Sequence, residues 1–157
     1  MPRRCPLYIF DLDGTLCNTD HRDYLLARTD ARKWDDYFKA CENDTPISAL
    51  VQIFVALRKN ASDILIFTGR GEQSRKQTIA WLTKHIPSET AETFEGMLTM
   101  RPINDHTPDT ELKKRWFGAL SDLDKSRLVA VFEDRDSVVK MWRDLDIVCL
   151  QVAPGKF

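Results

Sequence analysis

Leu7-Tyr8-Ile9-Phe10-Asp11-Leu12-Asp13-Gly14-Thr15 is a hydrophobic run that ends in acid. Leu7 to Phe10 is apolar, aromatic and β-branched, the composition of a strand covered on both faces. Two carboxylates follow, one residue apart. Gly14 then permits a sharp turn, and Thr15 adds a hydroxyl just beyond it. Two close like charges disfavour ionisation of both unless a cation or a proton is shared between them. The strand tip is therefore predicted to carry metal-assisted or acid/base chemistry. Asp-x-Asp alone reads equally well as an ordinary acidic turn, whereas the whole Asp-Leu-Asp-Gly-Thr after a buried strand is far more specific.

The same arrangement recurs along the chain. Ile64 to Phe67 is a second apolar strand, followed by Thr68-Gly69-Arg70-Gly71 and a helix from Glu72 to His85 with Ile79, Leu82 and Ile86 on one face. A hydroxyl, a flexible backbone and a helix N-terminus make a phosphate cradle. Gly96 to Met100 reads as a shorter strand closed by Arg101-Pro102. Thr107-Pro108 opens a helix with Leu112, Trp116 and Leu120 in register, and with Lys113 and Lys114 in its first turns. Leu128 to Phe132 is the fourth strand and runs into Glu133-Asp134-Arg135-Asp136. A helix from Ser137 to Leu145 and a last strand, Ile147 to Leu150, follow. Ala153 to Phe157 is expected to leave the sheet.

Between the first two strands, Thr45-Pro46 reads as a helix start, with Thr45 as cap and Pro46 at the first helical position. Ile47, Leu50, Val51, Phe54 and Leu57 keep helical spacing until Asn60 to Ser62. Alternating strands and helices predict an α/β fold, a three-layer Rossmann-like parallel sheet with helices on both faces. Ligands of such sheets bind beyond the carboxyl ends of the strands. Asp11 and Asp13, Thr68 to Arg70, Arg101, and Glu133 to Asp136 all fall at such ends.

Residues 17–44 are expected to form a small helical insertion after the first strand. Its Tyr24, Trp34, Tyr37 and Phe38 either pack on the main domain or, with nearby arginines, face a substrate's bases and phosphates. Residues 1–157 are read as one domain, since 157 residues are enough for a single sizeable core. The net charge of −1 offers no general field for nucleic acid. Cys5, Cys17, Cys41 and Cys149 form no CxxC pair, so no disulfide framework is expected, and Cys5 and Cys149 are predicted to be buried thiols. No leader peptide and no membrane-length apolar run are evident, so a reducing cytoplasm is the expected compartment. Carboxylates without a His/Cys cluster suit a hard cation, Mg²⁺ above others. In the last loop Glu133, Asp134 and Asp136 are all possible ligands, Asp136 reading equally as a helix cap.

Asp11-Leu-Asp13-Gly-Thr15, Thr68-Gly-Arg70, Lys113 and Glu133-Asp134 together resemble the haloacid dehalogenase-like phosphatase superfamily. The resemblance implies Asp11 as nucleophile, Asp13 as general acid/base and Thr68 as holder of a phosphoryl oxygen. It implies one lysine that neutralises phosphate, with Lys113 chosen and Lys114 in reserve. It implies Mg²⁺ held by Asp11, Asp13, Asp134 and Glu133, with Asp134 the main carboxylate of the last loop. Glu133 to Arg143, Cys149 to Phe157, and Met100-Arg101 with Lys113 twelve positions on further resemble the phosphatase domain of phage-type polynucleotide kinase/phosphatases. That implies a Mg²⁺-dependent phosphomonoesterase acting on polynucleotide 3′-phosphates, with Gly69, Arg70 and Arg101 binding substrate. Phosphorylated nucleic-acid ends or nucleotides are the expected partners, and no obligate protein partner is expected. No GxxxxGK[ST] occurs, so a phosphatase without a kinase half is expected. A phosphatase for nucleotides or other small molecules, a phosphotransferase, and a non-catalytic binding module are the alternatives.

Overall fold

The computed structural model describes residues 5–155. Five strands form one parallel sheet: β1 (Leu7–Phe10), β4 (Asp63–Gly71), β5 (Leu98–Arg101), β6 (Leu128–Arg135) and β7 (Cys149–Gly155), in the order β5-β4-β1-β6-β7. β1 lies at the centre, with Ile9 opposite Leu65 on one side and Val131 on the other. Two short strands, β2 (Cys17–Asn18) and β3 (Thr45–Pro46), pair antiparallel at the neck of the insertion.

Side chains alternate across the sheet and give it two cores. Phe10 and Ile66 face α2 (Ser48–Lys59), α3 (Arg75–His85) and α4 (Ala91–Met97), packing with Phe54, Leu82 and Phe94. Ile9 and Phe67 face α5 (Asp109–Gly118) and α7 (Asp136–Asp144), packing with Trp116, Val138 and Trp142. A central strand covered on both faces has no place for a charged side chain, and the first one, Asp11, follows directly on Phe10 at the end of β1.

The insertion contains a 3₁₀ segment, Asp20–Ala27, the helix α1 (Lys33–Lys39) and a 3₁₀ turn, Ala40–Asn43. Leu25, Tyr37 and Phe38 form a small core of their own.

Several boundaries differ from expectation. Thr45-Pro46 is not a helix start. Proline holds the residue before it extended, and the pair bridges to Cys17 and Asn18 while the Ile47 amide donates to the Leu16 carbonyl at 2.9 Å. The helix begins at Ser48 instead. Gly96 and Met97 close α4, whose N-cap Thr90 accepts from the Thr93 amide at 3.2 Å. β4 and β6 run four and three residues further than their apolar stretches, into Thr68–Gly71 and Glu133–Arg135. Ala153 to Gly155 stays in the sheet, where Gly155 pairs with Arg135. Lys156 and Phe157 lie outside the described residues. Cys5 is exposed rather than buried, while Cys17, Cys41 and Cys149 are buried thiols. α6 (Asp122–Arg127), capped by Ser121, buries no residue and so left no hydrophobic stripe in the sequence.

Candidate active site

Asp11 is fixed where β1 leaves the sheet, its amide donating to the Phe132 carbonyl at 2.9 Å. The loop that follows winds around one acceptor. The Leu12 carbonyl takes the amides of Thr15, Leu16 and Cys17 at 3.2, 2.9 and 3.1 Å. Gly14 sits at φ +83, and a Cβ there would come within 2.2 Å of an Asp134 carboxylate oxygen. Both backbone conformation and contact therefore demand glycine. Gly14→Ala is expected to displace Asp134 and weaken divalent-cation binding at least about tenfold, by analogy with the loss of a group that orients a metal ligand. Calorimetric titration with Mg²⁺ checks this, and unchanged affinity would show that the Gly14–Asp134 contact is dispensable.

Lys113, on the second turn of α5, is buried and donates from Nζ to Asp11 Oδ1 and Glu133 Oε2, each at 2.6 Å. Lys114 is exposed. Asp11, Glu133 and Asp134 offer oxygens within 4.8 Å of one another. Three carboxylates and one ammonium leave a formal charge of −2 in a buried place. Burial first, then Glu133, pushes the Asp11 carboxyl up to about 7. Burial, then Asp11, pushes Asp134 up to about 6. Glu133 is raised too, mainly by burial. Burial opposes the charge on Lys113, but Asp11 and Glu133 outweigh it and hold the ammonium. An all-oxygen, doubly negative donor set fits a hard divalent cation. Asp136 is exposed, accepts from Gln151 Nε2 at 2.6 Å, and stands outside this group.

Asp13 belongs to a second cluster. Arg70 reaches it with Nε at 2.9 Å and an Nη at 2.6 Å, and Arg22 reaches it at 2.7 Å. Both guanidiniums also bind Asp44, each at 2.7 Å. Burial alone would raise the Asp13 carboxyl, but Arg70 and Arg22 hold it well below the usual range. Asp13, Cys17 and Asp44 come close enough to hold a cation. Two carboxylates against two guanidiniums are already neutral, however, so the doubly negative trio is the better cation site.

Two of the expected site residues stand apart from the carboxylate trio. The Asp13 side chain does not join the Asp11–Glu133–Asp134 carboxylates, because two arginines occupy it. Arg70 does not face the cleft; it is fully buried, and its remaining Nη reaches Thr78 Oγ1 at 3.2 Å. Arg22 and Asp44 were missed by sequence reasoning. Neither sits in a motif, and both lie in the insertion, where charge normally means solvent.

Arg101 orders the loop between β5 and α5. Its Nε donates to the Gly69 carbonyl at 3.0 Å, and its Nη atoms donate to the carbonyls of Asp105 and Thr107 and to the Asp109 carboxylate. Asp109 also takes Arg135 at 2.7 Å. Gly69 is needed for close approach, since a Cβ there would lie 2.8 Å from Asp109 Oδ1. Thr68 is fully buried, and its hydroxyl accepts from the Arg70 amide at 3.2 Å.

These elements enclose a cleft of about 790 Å³. Asp11, Asp13, Glu133 and Asp134 line it from the strand ends and the loop after β1, Lys113 from α5, Arg101, Pro102 and the stretch from Asn104 to Thr110 from one side, and Leu26, Trp34, Tyr37 and Phe38 from the insertion. Thr68 and Arg70 do not line it.

Residues 5–157 match the family described as the polynucleotide kinase PNKP phosphatase domain. The chain belongs to this family. It is thus a phosphatase domain of the haloacid dehalogenase-like superfamily, in the class of phosphoric monoester hydrolases. A protein of Autographa californica nuclear polyhedrosis virus that carries the name bifunctional polynucleotide kinase/RNA ligase is 26% identical over 137 residues, covering 87% of this chain and 18% of the viral protein. A chain of the Pnkp1/Rnl/Hen1 RNA repair complex superposes with a TM-score of 0.74 at 26% identity, covering 98% of this chain and 44% of that one. The class C acid phosphatase of Bacillus anthracis shares the fold, with a TM-score of 0.65 at 14% identity, covering 98% of this chain and 68% of that one. The chain thus spans less than half the length of the two repair-related relatives. Among the described residues no helix is long and apolar enough to cross a membrane.

Proposed function

We propose that this domain is a Mg²⁺-dependent phosphomonoesterase that removes 3′-phosphates from polynucleotide ends through an aspartyl-phosphate at Asp11. The observation that carries the proposal is the buried Asp11–Lys113–Glu133–Asp134 cluster in the lining of the cleft, beside a separate Asp13. Asp11, Glu133 and Asp134 would hold the cation, which when bound offsets charge on the phosphoryl oxygens. Lys113 keeps the Asp11 carboxylate turned toward the phosphate and adds positive charge beside it. An Asp11 oxygen forms the bond to phosphorus as the bond to the ester oxygen breaks.

Asp13 then serves the two proton steps. Held ionised by Arg70 and Arg22, it needs a proton before it can give one to the leaving oxygen. A phosphate monoanion brings that proton with it. Ionised again, Asp13 takes a proton from the water that hydrolyses the aspartyl-phosphate. Arg101 supports this from a distance by holding the loop from Pro102 to Asp109. Residues 17–44 act as a small cap over the cleft.

Phosphate release with Mg²⁺ from a 3′-phosphorylated oligonucleotide, a 5′-phosphorylated one and a panel of mononucleotides is the test. Fast release from the 3′ end alone, abolished by EDTA and restored by Mg²⁺, is expected. The net charge of −1 and the enclosure of the cleft by the insertion favour a second reading, a nucleotide phosphatase. A preference for mononucleotides would establish it in place of the first.

A further inference from the structure

Of the Trp, Tyr and Phe side chains that line the cleft among the described residues, Trp34 is the one that the fold leaves exposed. Tyr37 and Phe38, its neighbours on α1, are buried, while Trp34 is 48% exposed. Its indole is nevertheless held in place. It stacks on Phe38 with centroids 5.9 Å apart and planes at 25°, and it meets the Tyr37 ring edge-on at 6.1 Å. The start of α1 is braced as well, because Arg28 binds Asp30 at 2.7 Å and Asp36 at 2.8 Å. A flat, half-exposed indole held between two rings thus borders the same cleft that Asp11 and Lys113 line. Large apolar surface left open inside a charged cleft marks a place for a ligand.

We propose that Trp34 is the stacking platform for the base of the nucleotide whose phosphate reaches Asp11. This rests on the phosphatase reading given above. The ligand must carry a phosphate and a flat ring on one small framework, which a nucleoside 3′-phosphate does, at a polynucleotide end or free. The cleft, about 790 Å³, is of the size that takes one nucleotide. Stacking on an aromatic ring tolerates any base, since every base has a π face. Lys33 holds its ammonium 5.0 Å from the indole centroid. An exposed cation–π contact is weaker than base stacking, so a base displaces it.

The test compares two 3′-phosphorylated oligonucleotides, one with an intact terminal nucleotide and one whose terminal nucleotide is abasic, alongside nucleoside 3′-monophosphates and ribose 3-phosphate. Wild-type protein is expected to favour the base-bearing member of a pair by roughly ten- to a hundredfold in kcat/KM. Trp34→Ala should lose that preference through KM while keeping the abasic rate, and Trp34→Phe should restore most of it. The preference in the oligonucleotide pair, the monophosphate pair or both supports the platform and shows which source it serves. A wild-type protein indifferent to the base in both pairs, or a Trp34→Ala protein that loses both members equally, would overturn it. Absence of phosphate release from every substrate by wild type is a different result, and defeats the phosphatase reading itself.

Discussion

Asp11→Asn is expected to abolish turnover and, in metal-free protein above pH 7, to raise the melting temperature. The activity loss is at least about a thousandfold, the scale on which removing a nucleophile acts. The stability gain follows from crowding. Asp11, Glu133 and Asp134 share one ammonium, and the Asp11 carboxyl is pushed from 3.8 to about 7. A carboxyl raised on folding contributes stability below pH 4, and that contribution fades as pH rises through about 7. A shift of that size corresponds to at most about 4 kcal/mol at 1.4 kcal/mol per unit, and relaxation of the site will return much of it. A net gain of about 1–2 kcal/mol would appear as roughly 2–8 °C in a domain of this size. The amide that replaces the carboxylate would keep an acceptor for Lys113 Nζ without adding charge. Scanning calorimetry of both proteins in EDTA, at pH 5 and pH 8, reads the difference, which should be larger at pH 8. Mg²⁺ should then stabilise the wild type at pH 8 and do much less for Asp11→Asn. A variant less stable than wild type in EDTA at pH 8 would show that Asp11 is not strained, and retained turnover would remove it as nucleophile.

The sheet was readable in the sequence because its inner strands begin as apolar, largely buried stretches, and because polar residues begin where those stretches stop. Leu7–Phe10 against Asp11 is the clearest such edge. The strand ends were harder to place, since Thr68–Gly71 and Glu133–Arg135 stay extended through polar residues that periodicity assigns to loops. α6 buries nothing, so it gives no stripe to find. The doubly negative trio could be anticipated from residues at strand ends, which topology brings together whatever lies between. The cluster around Asp13 could not. Arg22 and Asp44 lie in a segment with no strong pattern, and they are carried to the sheet by the β2–β3 bridge at the neck of the insertion and by the Trp81 indole of α3, which donates to the Asp44 carbonyl at 2.7 Å. An arginine such as Arg70, beside a glycine and a threonine in a loop that reads as a phosphate cradle, is expected to bind phosphate. Its burial depends on two carboxylates at positions 13 and 44, far apart in sequence.

Asp44→Ala is expected to be the most destabilising of these substitutions, lowering the melting temperature by about 10 °C. The Asp44 side chain is fully buried and accepts from Arg22 Nε at 2.8 Å, from Arg22 and Arg70 Nη atoms at 2.7 Å, and from His21 at 2.8 Å. Its removal leaves two buried guanidiniums with one carboxylate, Asp13, between them. Breaking a buried pair on one side costs about 3–5 kcal/mol, because the remaining charge has lost its compensation. Removing both sides is milder. The double variant Asp44→Ala/Arg22→Met should recover a substantial part of the loss, since the thioether side chain asks for no partner and Arg70 then keeps Asp13 to itself. The pair Lys140–Asp144, with its side chains 75% and 61% exposed, is the contrast, and Lys140→Ala should barely move the transition. Thermal unfolding of the four proteins distinguishes the possibilities. A small loss in Asp44→Ala, close to that of Lys140→Ala, would mean that water reaches the arginines readily and that the insertion is not fastened through them. A loss that the second substitution deepens would mean that Arg22 contributes chiefly through its packing and its contact with the Tyr37 ring, 4.2 Å from its guanidinium carbon, rather than through charge.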